Sequence, residues 1–154
     1  MYGADAGASN LSGKTNAEVA DFYSDLFRRK QKEAVQLGLG GPVKTDAQVF
    51  ATALAVYVTN STLAGNTAAS YGFLVTEHGV GISTFNVGDS GKAFDVADYS
   101  TVSVLDLLLA TNAKSHLGLL YDLDGDGDAD DSLETLFRTL ANDVYSAINE
   151  QGDI

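Results

Sequence analysis

The run Asp122-Leu123-Asp124-Gly125-Asp126-Gly127-Asp128-Ala129-Asp130-Asp131 places a carboxylate at every second position around two glycines. Short oxygen-bearing side chains at that spacing, on a chain that turns sharply at glycine, suit a hard cation that takes about six to eight oxygen ligands. From Asp122 to Glu134 there are seven acids and no base, out of 21 acids in the whole chain. Packed so closely, these carboxylates repel one another unless a divalent ion sits among them. The residue types therefore point to calcium, with Asp122, Asp124, Asp126, Asp128, Asp130 and Glu134 as candidate ligands.

The rest of the chain offers little chemistry. With no cysteine there is no thiol nucleophile, thiolate zinc site or disulfide. His78 falls in a predicted turn, Glu77-His78-Gly79, where an exposed imidazole is the ordinary case. His116 precedes the acidic run by a few residues, but calcium disfavours nitrogen ligands. No Gly-x-Ser-x-Gly elbow is present. The glycines of Leu37-Gly38-Leu39-Gly40-Gly41-Pro42 lack the Gly-Lys-Ser ending of a phosphate loop. No spacing singles out a pair of hydrolytic carboxylates. No catalytic residue is expected.

Counted from Asp122, the acids and Gly127 occupy positions 1, 3, 5, 6, 7 and 9 of a loop. This resembles the calcium loops of EF-hand and dockerin-type proteins, over about a dozen residues. The resemblance implies side-chain coordination by Asp122, Asp124 and Asp126, a backbone carbonyl from Asp128, and a contact through water from Asp130. The pattern departs at its closing position, where Leu133 stands in place of a bidentate acid and Glu134 follows. Three closures stay open: a loop one residue longer that ends on Glu134, a contribution from Asp131, or a shell completed by water. Glu134 also fits a capping box with Asp131 as N-cap, which needs no metal. Only Leu117 to Tyr121 is available as an entering helix, and Met1 is the one methionine, so a single structural loop is expected rather than a paired sensor with a Met-rich groove. Such a loop would pin the last helix to the body.

Around this loop the pattern predicts helices. Thr15-Asn16-Ala17-Glu18 is a capping box opening a helix with Val19, Phe22, Tyr23, Leu26 and Phe27 on one face. A second box, Thr45 to Gln48, starts a helix to Val58 that is apolar on nearly every side and is expected at the centre. Tyr71, Phe73 and Val75 alternate, Glu77-His78-Gly79 turns, and Val80 and Ile82 alternate again, predicting a hairpin with a bulge near Ser83-Thr84. Val102, Leu105, Leu108 and Leu109 predict a third helix. Leu133, Leu136, Phe137, Leu140, Val144, Tyr145 and Ile148 give the clearest helix of the chain. The expectation is an α+β, mainly α domain: a compact helical body with one small hairpin and a calcium loop before the C-terminal helix. Residues 1–13 read as a flexible leader, and 14–154 as a single calcium-binding domain.

The net charge of -12 and the lack of a basic patch argue against nucleic acid and anionic membrane as partners. The cluster Arg28-Arg29-Lys30-Gln31-Lys32 is expected to complement a helix C-terminus. No stretch is long and apolar enough for membrane insertion, and no signal peptide is recognisable, so a secreted origin would make this chain a mature fragment or an excised domain. The resulting expectation is a non-catalytic, calcium-stabilised accessory module of an extracellular or cell-surface bacterial protein, serving attachment, anchoring or assembly. A module recognising a cell-surface protein or glycan through Tyr71, Phe73 and Phe85 is the alternative, and a small calcium-dependent hydrolase is a third.

Overall fold

The computed structural model describes residues 1–151. Helix α1 (Asn16–Arg28) opens at the expected capping box: Glu18 N–H donates to the Thr15 hydroxyl, and Thr15 N–H donates to the Glu18 carboxylate at 2.8 Å. These bonds from Thr15, with Lys14 beside them, hold the Glu18 carboxyl down at about 2. The inward face of α1 sets Phe22, Tyr23 and Leu26 against Ala47 and Phe50. Within residues 1–13, expected as a flexible leader, Tyr2 and Leu11 pack on this same cluster. The Tyr2 ring packs 5.0 Å from that of Phe50 and 6.2 Å from that of Phe22, and Ala6 is buried. An aromatic ring in the second position supplies the apolar area that holds this segment down.

Helix α2 (Gln31–Gln36) is short and buries Ala34. Helix α3 (Thr45–Thr59) is central as expected, burying residues from Ala47 through Val49 and Phe50 to Val56 and packing against α1 and the C-terminal helix. Its capping box does not form. The helix begins at Thr45 with Lys44 as N-cap, and the Thr45 hydroxyl donates to the Pro42 carbonyl at 2.8 Å instead.

The hairpin lies elsewhere than the alternation suggested. Strands β1 (Thr84–Asn86) and β2 (Thr101–Ser103) pair antiparallel, with Phe85 opposite Val102. Residues Thr67–Tyr71 and Gly79–Ile82 are 3-10 turns. The stretch between them bonds back to the end of α3 rather than to itself: Thr76 N–H donates to the Thr59 carbonyl and Ser61 N–H to the Thr76 carbonyl. Asn60 meanwhile caps the single turn α4 (Ser61–Ala64). Gly72 and Phe73 N–H donate back to the Ala69 and Ala68 carbonyls, so the chain turns where the alternation suggested a strand.

Helix α5 (Val104–Ala113) starts where the Ser103 hydroxyl accepts the Asp106 N–H. That cap rotates the expected face: Val104, Leu107, Leu108 and Thr111 are buried, while Leu105 and Leu109 face outward. Helix α6 (Ser132–Gln151) keeps the expected rhythm only in its second half. Leu133 and Leu136 are 53% and 43% exposed, and the buried stripe runs Glu134, Arg138, Ala141, Tyr145, Ile148. A charged pair thus occupies two positions at core spacing. Behind it, the Thr111 hydroxyl lies 2.7 Å from that of Tyr145 and 3.2 Å from that of Tyr121. Burial pushes both phenols above their ordinary pKa.

Candidate metal centre

The loop that leads into α6 is shaped by its own aspartates. Asp122 is buried, and its two carboxylate oxygens accept the N–H groups of Gly125 at 2.7 Å and Gly127 at 3.3 Å. Asp124 accepts the N–H of Asp126 at 3.2 Å, and Asp126 that of Asp128 at 3.1 Å. Each bond is a local turn of the kind short Asp side chains make. Gly125 and Gly127 have positive φ, as this winding requires. The winding brings one carboxylate oxygen each of Asp122, Asp124 and Asp126 within 4.8 Å of one another. Three acidic oxygens so close form an arrangement able to hold a divalent cation.

The other expected ligands fall outside this trio. Asp128 and Asp130 are neighbours within the loop, and the Asp128 carboxylate raises the pKa of Asp130. Glu134 is buried 3% exposed, and its oxygens accept the N–H groups of Leu123 at 2.8 Å and Asp131 at 3.2 Å. It therefore ties the start of the loop to the start of α6, the second bond being half of the capping box anticipated for Asp131. Leu133, expected in the apolar rhythm of the last helix, is on the outside. His116 packs its ring over Gly125 with Nδ1 3.5 Å from the Asp122 carboxylate.

Several residues that position the loop carried no motif. Arg138 is buried 1% exposed; it donates from Nε to the Gly40 carbonyl at 2.8 Å and from Nη1 to the Leu120 carbonyl at 3.0 Å. Its Nη1 is also 3.1 Å from Asp46 Oδ1, an ion-pair contact without hydrogen-bond alignment, and Asp46 pairs on its other side with Arg29. Arg29 thus pairs with a carboxylate, while Arg28 lies in the last turn of α1, where the basic cluster was expected. The glycine-rich turn Gly38–Gly40 lies directly along the loop: Ala129 N–H donates to the Gly38 carbonyl at 2.7 Å and Gly40 N–H to the Ala129 carbonyl at 2.9 Å. A Cβ on Gly38 would overlap the Asp128 side chain, and one on Gly40 the Thr135 hydroxyl. These glycines permit the close approach of two backbones. The signal available in sequence was the charged pair Glu134 and Arg138 at i, i+4, which a reading of apolar residues alone passes over.

No protein-family model, curated protein or solved structure matches the chain. The site therefore rests on its own geometry. Among the described residues no helix is long and apolar enough to cross a membrane. What the arrangement can do chemically is hold a divalent cation in the loop that leads into α6.

Proposed function

We propose that this chain is a non-catalytic, calcium-stabilised accessory module of an extracellular or surface bacterial protein, serving attachment, anchoring or assembly. The observation that carries the reading is the Asp122, Asp124, Asp126 trio, wound tightly and stitched to two other parts of the fold. The likeness of the loop to EF-hand and dockerin-type loops favours calcium over other divalent ions, and Asp128 and Asp130 extend the oxygen supply in the manner of those loops. A bound ion would supply charge neutralisation among the crowded carboxylates, and so stabilise the junction of loop and α6. Glu134 then serves the loop through its backbone bonds.

Calorimetric titration with calcium and with magnesium, paired with thermal melts in calcium and in chelator, tests this. At calcium about a hundredfold above the dissociation constant, mass action adds about 2.7 kcal/mol of stability. Asp124→Asn with Asp126→Asn should abolish the gain while leaving the chelated melt in place. A melting temperature indifferent to millimolar calcium would end the calcium reading.

A second reading, recognition of a surface protein or glycan, is favoured by Tyr71 and Phe73, which are 78% and 54% exposed, whereas Phe85 is half-buried against the core.

A further inference from the structure

Away from the acidic loop, α3 and the irregular segment from Asn60 to Ile82 enclose two open clefts of about 550 Å³ each, which share Ala55 and Phe73 as a common wall. On one side the wall is Leu74, Val80 and Ile148, and on the other Tyr23, Tyr57 and Tyr71. Leu74 is 81% exposed and Tyr57 51%. A continuous apolar face of this kind marks an interaction site on a folded domain. Among the described residues no charged side chain lines either cleft. No Lys or Arg occurs from Thr45 to Gly91. Exposed Glu77, Asp106 and Glu150 stand within three positions of lining residues in the sequence, and Lys14, two positions before the lining Asn16, is paired with Glu18 at 3.2 Å.

The occupant follows from this chemistry. A glycan needs free polar partners, and those in the first cleft are already engaged. The Thr52 hydroxyl donates to Gln48 and meets Asn149; Thr59 donates to the Ala55 carbonyl and accepts Val80 N–H; Asn149 donates to Gln48. A second copy would bring another net charge of -12 against an acidic rim. We infer that the two clefts form one docking surface for an amphipathic protein segment that places apolar side chains on either side of Phe73 and lysine or arginine against the acidic flanks. This develops the recognition reading and is independent of calcium.

The test uses a synthetic helical peptide with leucine on one face and lysine on the other, titrated against the intact protein by fluorescence anisotropy. A companion peptide carries glutamate for lysine. The lysine peptide should bind at least about tenfold more tightly than the glutamate peptide, a difference that shrinks as salt is raised. The double variant Phe73→Ser/Leu74→Ser should weaken the lysine peptide at least about tenfold, while Leu117→Ser, at an exposed leucine elsewhere on the surface, leaves it unchanged. Equal binding of the two peptides, or retention of affinity by the double variant, would overturn the inference. So would concentration-dependent dimers in light scattering that the double variant abolishes, since a second copy would then be the occupant. Binding of neutral oligosaccharides that Phe73→Ser/Leu74→Ser abolishes, with no peptide binding, would overturn it too, yet keep the recognition reading alive; neither ligand binding would remove both.

Discussion

Two regions of this molecule spend their polar and apolar groups in opposite ways. In the loop from Asp122 to Asp131 and the first turns of α6, Asp122, Glu134 and Arg138 turn inward and are bonded, while Leu123, Leu133 and Leu136 face water. In the segment from Asn60 to Ile82, the backbone is tied to the end of α3 and the large apolar side chains are left uncovered. The first region is stabilised by hydrogen bonds from side chain to backbone, and on the function proposed above it would gain from a cation. The second would gain from the partner inferred for its clefts. The placement of exposed leucine therefore means different things in the two: beside the loop it is the by-product of a helix whose core positions went to Glu134 and Arg138, and beside Phe73 it is a surface.

The contrast can be broken by substitution. Arg138→Met should have the largest effect, about 3–5 kcal/mol lost in urea denaturation, because a buried charge network loses its centre and the Gly40 and Leu120 carbonyls lose their donor. A loss below about 1 kcal/mol would show that the loop does not depend on this anchor. Gly38→Ala should cost about 1–3 kcal/mol, since the added methyl meets Asp128 and the backbone has φ +65°. It should also weaken calcium binding in calorimetry, as the loop must shift. Phe73→Ser/Leu74→Ser should move stability by no more than about 0.5 kcal/mol, as expected for side chains that rest on solvent. A large destabilisation there would mean that the clefts belong to the core.

The smallest effect is expected at the exposed start of α1. Glu18→Gln removes a carboxylate whose folded pKa is lowered to about 2, so its contribution is present above the unfolded carboxyl range of about 4.3 and is lost as pH falls toward 2. Wild type and variant should therefore differ in melting temperature at pH 7 and converge at pH 2. A difference that grew on acidification would contradict the capping geometry.

Sequence reading was most secure where one residue type acts locally. The capping box at Thr15 and Glu18, the central place of α3 and the acidic turn before the last helix all follow from neighbours within a few positions. It failed where distant backbone decided. Tyr71, Phe73 and Val75 alternate as a strand would, yet the chain turns there and Thr76 bonds back to Thr59. Leu133 and Leu136 extend the apolar rhythm of α6, yet Arg138 takes the core because carbonyls of Gly40 and Leu120 converge on it. Of the six ligand candidates, the structure gathers Asp122, Asp124 and Asp126. The inward turn of Glu134 toward Leu123 N–H could not be told from outward coordination, since spacing is the same for both.

The bridge between Leu39 and Ala129 has a kinetic consequence. Its two halves are far apart in the chain, so this contact forms only after the intervening helices have packed, and such long-range closure is slower than a local turn. In refolding, calcium uptake would then follow helix formation instead of guiding it. A fragment holding only the last third of the chain would carry every aspartate of the loop and the turns they make, yet lack the Gly38 and Gly40 backbone that holds Ala129 in place.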